Sequence, residues 1–331
     1  MQLKSPSKRK FLSAVLVAGA IGITSIANVA QAADRVFFAI ATGGTGGTYY
    51  PLGGMLAQLI SNNVTIDGKK LSATAETGNA SVANSKLLGR GEIESAFAAA
   101  DILDAAYKGT NQFDGQPIKN LRAIGALYPE TVQLVVQADS GINTIADLKG
   151  KTVSSGAPGS GQYQLLSDLL EVYGLSRADI TEDHSSFSQS VEKIKDGNLD
   201  ASLITAGTPT ASVVDLANGH DIKIVPLVGA EIDTLRKKQP YYGSTVLKAG
   251  TYKGQDSDVQ TLAVRAIWAT HDKVPDDIVY AVTKALYENT ETLGKVHPKG
   301  KEVSLETALE SVSIPVHPGA MKYYKEKGIM K

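Results

Sequence analysis

The sequence predicts an α/β fold, with parallel strands alternating with helices. Short apolar runs alternate with amphipathic segments from residue 36 to about 293. Glycine- or hydroxyl-rich loops follow the strands. The pattern also runs twice, before and after about residue 137, as expected for two units in a chain of this length.

The first unit opens with Val36–Ile40, a continuous apolar run that reads as a strand buried on both faces. Gly43, Gly44, Gly46 and Gly47 follow, and Leu52, Met55, Leu56, Leu59 and Ile60 then recur at helical spacing. Strand, glycine loop and helix start together present unpaired N–H groups and a positive dipole end to an anion. The pair Gly53-Gly54 inside that helix reads as a close-packing device. Residues 71–77 read as a strand and 82–88 as a helix. Residues 93–100 are a small apolar strand ending at Asp101, with a helix over 102–107. Residues 121–127 and 132–136 read as two strands separated by Tyr128-Pro129-Glu130.

The second unit repeats the scheme. Residues 151–155 are a strand, and Gly156-Ala157-Pro158-Gly159-Ser160-Gly161 is a second glycine loop. The following helix carries Tyr163, Leu165, Leu166, Leu169, Leu170 and Val172 on one face, with Ser160 placed to cap it. A helix near 191–195, a strand at 201–205, a helix at 211–217 and a strand at 222–228 come next. A strand over 262–269 carries Trp268, read as core. A helix over 275–293 and a short one near Tyr323-Tyr324 complete the chain.

The first 32 residues read as a secretory signal peptide. Lys4, Lys8, Arg9 and Lys10 precede an uncharged apolar stretch, and Ala30-Gln31-Ala32 is a small-x-small cleavage site. The apolar stretch is shorter than the ~20 residues that a membrane span needs. The expected mature chain is free in a periplasm. Removing the leader's four positive charges takes the net charge from −1 to −5, and no basic tract remains, so nucleic acid is not an expected partner. The chain has no cysteine, hence no disulfide and no lipid-anchoring thiol.

Four loops, 42–48, 77–82, 156–162 and 206–210, fall at the C-terminal ends of strands, the edge at which parallel sheets bind ligands. None contains Lys or Arg. The expected ligand is therefore a small anion held by neutral dipoles, since polyphosphates usually recruit fixed cations.

Several stretches then match a known family. They are GGTGGTYYPLGG at 43–54, SVANSKLL at 81–88, GAPGSG at 156–161, LITAGTP at 203–209, AGTYKGQD at 249–256 and VYAVTKAL at 279–286. The chain resembles the TAXI-type solute-binding receptors of tripartite ATP-independent periplasmic (TRAP) transporters, from about Val36 to Tyr324. The resemblance implies a type II periplasmic-binding-protein fold, with two lobes of parallel-type sheet joined by crossing strands. Lobe 1 is expected over 33–135 and 229–331, lobe 2 over 136–228, with crossings near 132–136 and 227–230. The resemblance further implies capture of a small carboxylate, glutamate or a related C4–C5 acid such as 2-oxoglutarate, and delivery to membrane permease subunits. The ligand-binding set is Gly46, Gly47, Thr48 and Tyr49, then Asn79, Ser81 and Asp101, then Ser160, Gly161, Gln162 and Thr208. The sequence departs from the family at Gln162, where Thr is common, and at Thr208, where an aromatic residue or His often stands.

Tyr49 and Tyr50 should face apart, one into the cleft and one into the core. Tyr241, Tyr242 and Tyr252 either shape the cleft wall or pack. Glu76 and Asp101 end strands at the ligand edge, where an inward carboxylate would suit an ammonium group. An exported enzyme on the same fold is the alternative. Ser154, Ser155 and Ser160 are its candidate nucleophiles, but the sequence places no base beside them. The loop at 43–47 lacks the Gly-Lys-Ser/Thr of a nucleotide-binding loop. The five histidines show no metal-ligand spacing, and His297-Pro298 and His317-Pro318 read as solvated turns. No cofactor or metal is expected.

Overall fold

The computed structural model describes residues 35–331, so the signal peptide expected at 1–32 lies outside the described residues. The first strands are β1 (Arg35–Ala41), β2 (Thr65–Ile66), β3 (Lys69–Glu76) and β4 (Ser95–Ala99). Helices α1 (Tyr49–Asn63), α2 (Ser81–Arg90) and α3 (Ala100–Lys108) alternate with them. β5 (Leu121–Gln137) then leads to β6 (Thr152–Ser154), α4 (Gln162–Val172), β7 (Thr181–Asp183), α5 (Phe187–Lys195), β8 (Ala201–Ala206) and α6 (Ala211–Gly219). β9 (Ile222–Val225), α7 (Ala230–Lys238), β10 (Gly243–Leu247) and β11 (Val259–His271) precede α8 (Asp276–Tyr287), α9 (Thr290–Leu293) and α10 (Pro318–Glu326).

The strands join in one 11-stranded sheet of order β2-β3-β1-β4-β11-β5-β8-β6-β7, with β10 on β11 and β9 on β5. Within each half the pairs β1/β4, β6/β7 and β6/β8 are parallel. β5 and β11 run antiparallel to their neighbours through the middle. The result is a mixed α/β fold of two lobes linked by two long strands.

Pro129 does not divide β5 as expected. A proline lacks an N–H and weakens a ladder, yet here it sits opposite Arg265, and the register shifts between Arg265 and Ile267. That irregularity absorbs the missing donor, so residues 121–137 form one strand. The second linking strand is β11; residues 227–229, expected as a crossing, lie outside any strand. β9 stops before Pro226. α7 was not legible, because only Ile232 and Leu235 of its nine residues are buried. It packs on the second lobe, where Lys238 meets Glu171 and Gln239 meets Asp168 of α4. The helix expected over 275–293 breaks after Tyr287. Asn289 Nδ2 donates to Ala285 O there, a local bond that competes with the helix ladder.

Three apolar clusters hold the sheet's faces. One fills the β1–α1–α8–α10 side, with Trp268 fully buried against Phe38 in an edge-on contact. Another closes the second lobe around Ile204, Val213 and Leu216. The third and most extended runs beneath both lobes. Gly53 permits close packing as expected, since a Cβ there would lie 2.5 Å from Thr42 Cγ2, whereas Gly54 faces open space. His297 and His317 are helix caps and not solvated turns. Each Nδ1 accepts a backbone N–H, from Lys299 and from Gly319, and His317 is fully buried.

Candidate functional site

A cavity of about 230 Å³ lies between the lobes. It has the size of a site for a small solute. Ten of the eleven residues expected to bind ligand line it: Gly46, Gly47, Thr48, Tyr49, Asn79, Ser81, Asp101, Ser160, Gly161 and Gln162. Thr208 does not. The preceding Gly207 carbonyl accepts both Thr48 Oγ1 and Thr210 Oγ1, and Pro209 O meets His297 Nε2, so the loop is tied down beyond the cavity wall.

Two helix starts face the space. α1 begins behind Thr48 and α4 behind Gly161, and neither has a side-chain cap. Their first N–H groups have no partner within the helix. Ser160, expected to cap α4, does not; Gly161 holds that position, and Ser160 Oγ is buried without a partner. Gln162 Oε1 and Thr205 Oγ1 are likewise buried and unpartnered beside the cavity. Buried polar atoms are normally satisfied, so these three point to a missing hydrogen-bonding partner. Gly161 must remain small, since a Cβ would meet Ile102 Cγ1 of the other lobe at 2.9 Å.

The floor is acidic. Glu130, on β5, is buried and accepts a hydrogen bond from Tyr49 OH at 2.9 Å. Burial lifts its pKa to about 8, against the lowering effect of that bond, and the nearby Asp101 lifts it further. Asp101, at the start of α3, accepts from Tyr242 OH at 2.6 Å, while its Oδ1 is buried without a partner. Burial lifts its pKa to about 6. Burial thus holds both floor carboxyls above their ordinary values, Glu130 further than Asp101. No Lys or Arg lines the cavity among the described residues.

Tyr49 and Tyr50 do face apart, but neither simply fills the core: Tyr49 is buried, lines the cavity and packs edge-on against Phe97, whereas Tyr50 is exposed. Glu76 is exposed at the end of β3 and does not line the cavity. Sequence reasoning missed Glu130. Its position after Tyr128-Pro129 suggested a turn, whereas a β5 that continues through Pro129 carries Glu130 into the cavity. Tyr242 was left between wall and core, and it does both, lining the cavity while buried.

Two loop carbonyls are committed to contacts between the lobes. Gly46 O accepts Ser212 N at 3.1 Å, and Gly159 O accepts Val82 N and Ala83 N at 2.9 and 3.0 Å. The start of α2 therefore caps on the opposite lobe and presents those two N–H groups to no solute.

The family can now be assigned. The pattern of the NMT1-like family matches residues 40–328. The chain belongs to the NMT1-like family. Among solved structures, a protein of Bordetella bronchiseptica RB50 shares 15% identity over 88% of this chain and 98% of its own, with a TM-score of 0.53. The periplasmic aliphatic sulphonate binding protein SsuA from Escherichia coli matches at 17% identity over 87% and 82%, TM-score 0.46. A putative L-cystine ABC transporter from Listeria monocytogenes matches at 17% over 81% and 98%, TM-score 0.48. At these identities the likeness concerns fold alone. This NMT1-like chain shares its mixed α/β fold with the Bordetella bronchiseptica protein.

Ser155, one candidate nucleophile, does acquire neighbours in the fold. Its Oγ donates to Glu182 Oε1 at 2.5 Å and lies 3.3 Å from His184 Nδ1. The hydroxyl proton is thus given to the carboxylate, and Ser155 is fully buried and outside the cavity. In a nucleophilic triad the base stands between nucleophile and acid; here the serine stands between the other two.

Proposed function

We propose that this chain is the solute-binding receptor of a TRAP transporter, of the TAXI type, exported to the periplasm by its leader. It captures a small carboxylate between its lobes and delivers it to membrane permease subunits. The observation that carries this reading is the cavity itself. Two uncapped helix starts face it, Ser160 and Gln162 carry unpartnered buried oxygens beside α4, and an acidic floor lies below.

That geometry favours glutamate over 2-oxoglutarate. Carboxylates suit the helix starts, where unpaired N–H groups and the dipole favour negative charge. Asp101 is a buried, half-satisfied carboxyl with no cation beside it. An ammonium supplies one, whereas a keto oxygen leaves the charge uncompensated, which is costly in a water-poor site. The lobe division we propose follows the two long strands. It keeps 33–135 with the first lobe and 136–228 with the second, but moves α7, expected with the first lobe, to the second, a reading supported by the packing of α7 on α4.

Mass spectrometry of small molecules released from purified, denatured protein tests the assignment, followed by calorimetric titration. We expect glutamate to be released and to rebind, with 2-oxoglutarate at least tenfold weaker, a difference of about 1.4 kcal/mol. Tight 2-oxoglutarate binding without a glutamate response removes the amino-acid reading. A response to sugars alone removes the carboxylate reading.

A further inference from the structure

A third helix start lines the cavity, and its chemistry differs from that of the other two. α5 begins behind Ser186, and Ser186, Phe187 and Ser188 all border the space. Ser186 Oγ accepts Gln189 N, and Gln189 Oε1 accepts Ser186 N at 3.0 Å. This start is therefore capped by its own side chains, unlike those of α1 and α4. What it offers a solute is the ring of Phe187. The ring is half-buried and packs on the apolar cluster around Ile204, Val213 and Leu216 of the second lobe. It also meets the first lobe. A Cβ on Gly47 would lie 3.4 Å from Phe187 Cδ2 and 3.5 Å from Cε2, so the ring stands in the direction in which a side chain at 47 would point. Beside it, a Cβ on Gly46 would overlap Ser188 Oγ, and Gly46 O accepts Ser212 N at 3.1 Å. Phe187 is thus anchored on one lobe, seated on the other and open to the cavity.

We propose that Phe187 is a specificity-determining residue that sets the longest acidic amino acid the site accepts. The start of α1, one of the two carboxylate seats, follows Gly47 by two residues. A ring fixed over Gly47 therefore bounds the space beside that seat. A solute one methylene longer than glutamate must buckle between the starts of α1 and α4 or lift the ring from Gly47. Lifting it parts the lobes where Gly46 meets Ser212. Close-packed surroundings resist even one added methylene, and one methylene in an apolar site discriminates by roughly 10- to 200-fold. A solute one methylene shorter than glutamate meets no such limit; it fails because it cannot reach both seats. This inference rests on the proposed capture of an acidic amino acid between α1 and α4, and it names the side chain that selects among such acids.

Calorimetric titration with L-aspartate, L-glutamate and L-2-aminoadipate, which differ by one methylene each, tests this on the parent, Phe187→Leu and Phe187→Ala. Circular dichroism checks that each variant is folded. The parent should bind glutamate at least tenfold more tightly than 2-aminoadipate. Phe187→Ala should erase that gap and Phe187→Leu should narrow it, while the deficit of aspartate against glutamate stays as in the parent. A ring that serves only the stability of the second lobe weakens all three acids alike and leaves both ratios unchanged. If the parent binds glutamate and the ratio of 2-aminoadipate to glutamate is the same in all three proteins, the length limit is wrong while the receptor reading stands. Equal binding of glutamate and 2-aminoadipate by the parent overturns the limit as well. If the parent binds none of the three acids, the amino-acid reading fails and takes this inference with it.

Discussion

At the scale of single residues the site turns on Asp101 and Glu130. Both carboxyls are held above their ordinary values by burial, to about 6 and about 8. A carboxyl whose folded pKa is raised binds more protons in the folded chain than in the unfolded one. Folding stability then falls as pH rises, because the slope follows the difference in bound protons. The contribution is whole below about pH 4, where both states are protonated. It is lost through pH 6 for Asp101 and through pH 8 for Glu130. In the absence of solute the melting temperature should therefore decline between pH 5 and 8.5. Asp101→Asn should remove the lower part of that decline and raise stability at pH 7, since a buried charge is gone while the Tyr242 hydroxyl keeps an acceptor. The same variant should lose glutamate affinity by tenfold or more, read by calorimetry. A flat pH profile in the parent, or undiminished affinity in Asp101→Asn, contradicts this account of the floor.

At the scale of elements, the inter-lobe seam depends on glycines whose Cβ would collide with the other lobe. Gly207 is the clearest case. A side chain there would lie 2.8 Å from Thr48 Cγ2 and 2.9 Å from Lys299 Cγ, and Gly207 is not part of the cavity wall. Gly207→Val should leave the far-ultraviolet circular dichroism unchanged and weaken glutamate at least tenfold by propping the first glycine loop away from β8. Unchanged affinity in a folded variant would show that this contact is dispensable. Local pattern made the strand–loop–helix units readable, because apolar runs and glycine punctuation act over short stretches. Thus β1, α1, α4 and the two glycine loops were legible in the sequence, and ten of the eleven residues expected to bind ligand do line the cavity. What was hidden depended on partners distant in the chain. Pro129 reads as a breaker until a register shift opposite Arg265 accommodates it, and Glu130 emerges in the cavity only as a result. Likewise α7, with two buried residues, carries too little periodicity to be seen alone. Ser160 looks like a cap because its residue type favours that role; its orphaned hydroxyl becomes visible only when Gly161 is placed at the helix start.

At the scale of the whole molecule, β5 and β11 are, among the described residues, the strands that pass through both lobes, so relative motion of the lobes must bend them. The ladder between them is weakest at Pro129, which cannot donate, and at the adjoining shifts between Arg265 and Ile267 and between Trp268 and Ala269. Glu130 lies next to that point and Tyr49 reaches it from α1, so the acidic floor and the irregular part of the ladder share the same few residues. In the proposed reading, a solute held by Asp101 and Glu130 below, and by the starts of α1 and α4 from either side, bridges the two lobes as they approach. Closure around ligand is a recurrent hinge motion among two-lobed binding proteins. Small-angle X-ray scattering should accordingly show a smaller radius of gyration with saturating glutamate than without. Thermal stability should rise with glutamate concentration as mass action requires, by about 2.7 kcal/mol at one hundred times Kd. A melting temperature that rises while the scattering curve stays superimposable would identify a rigid binder, with β5 and β11 acting as a fixed spine between the lobes.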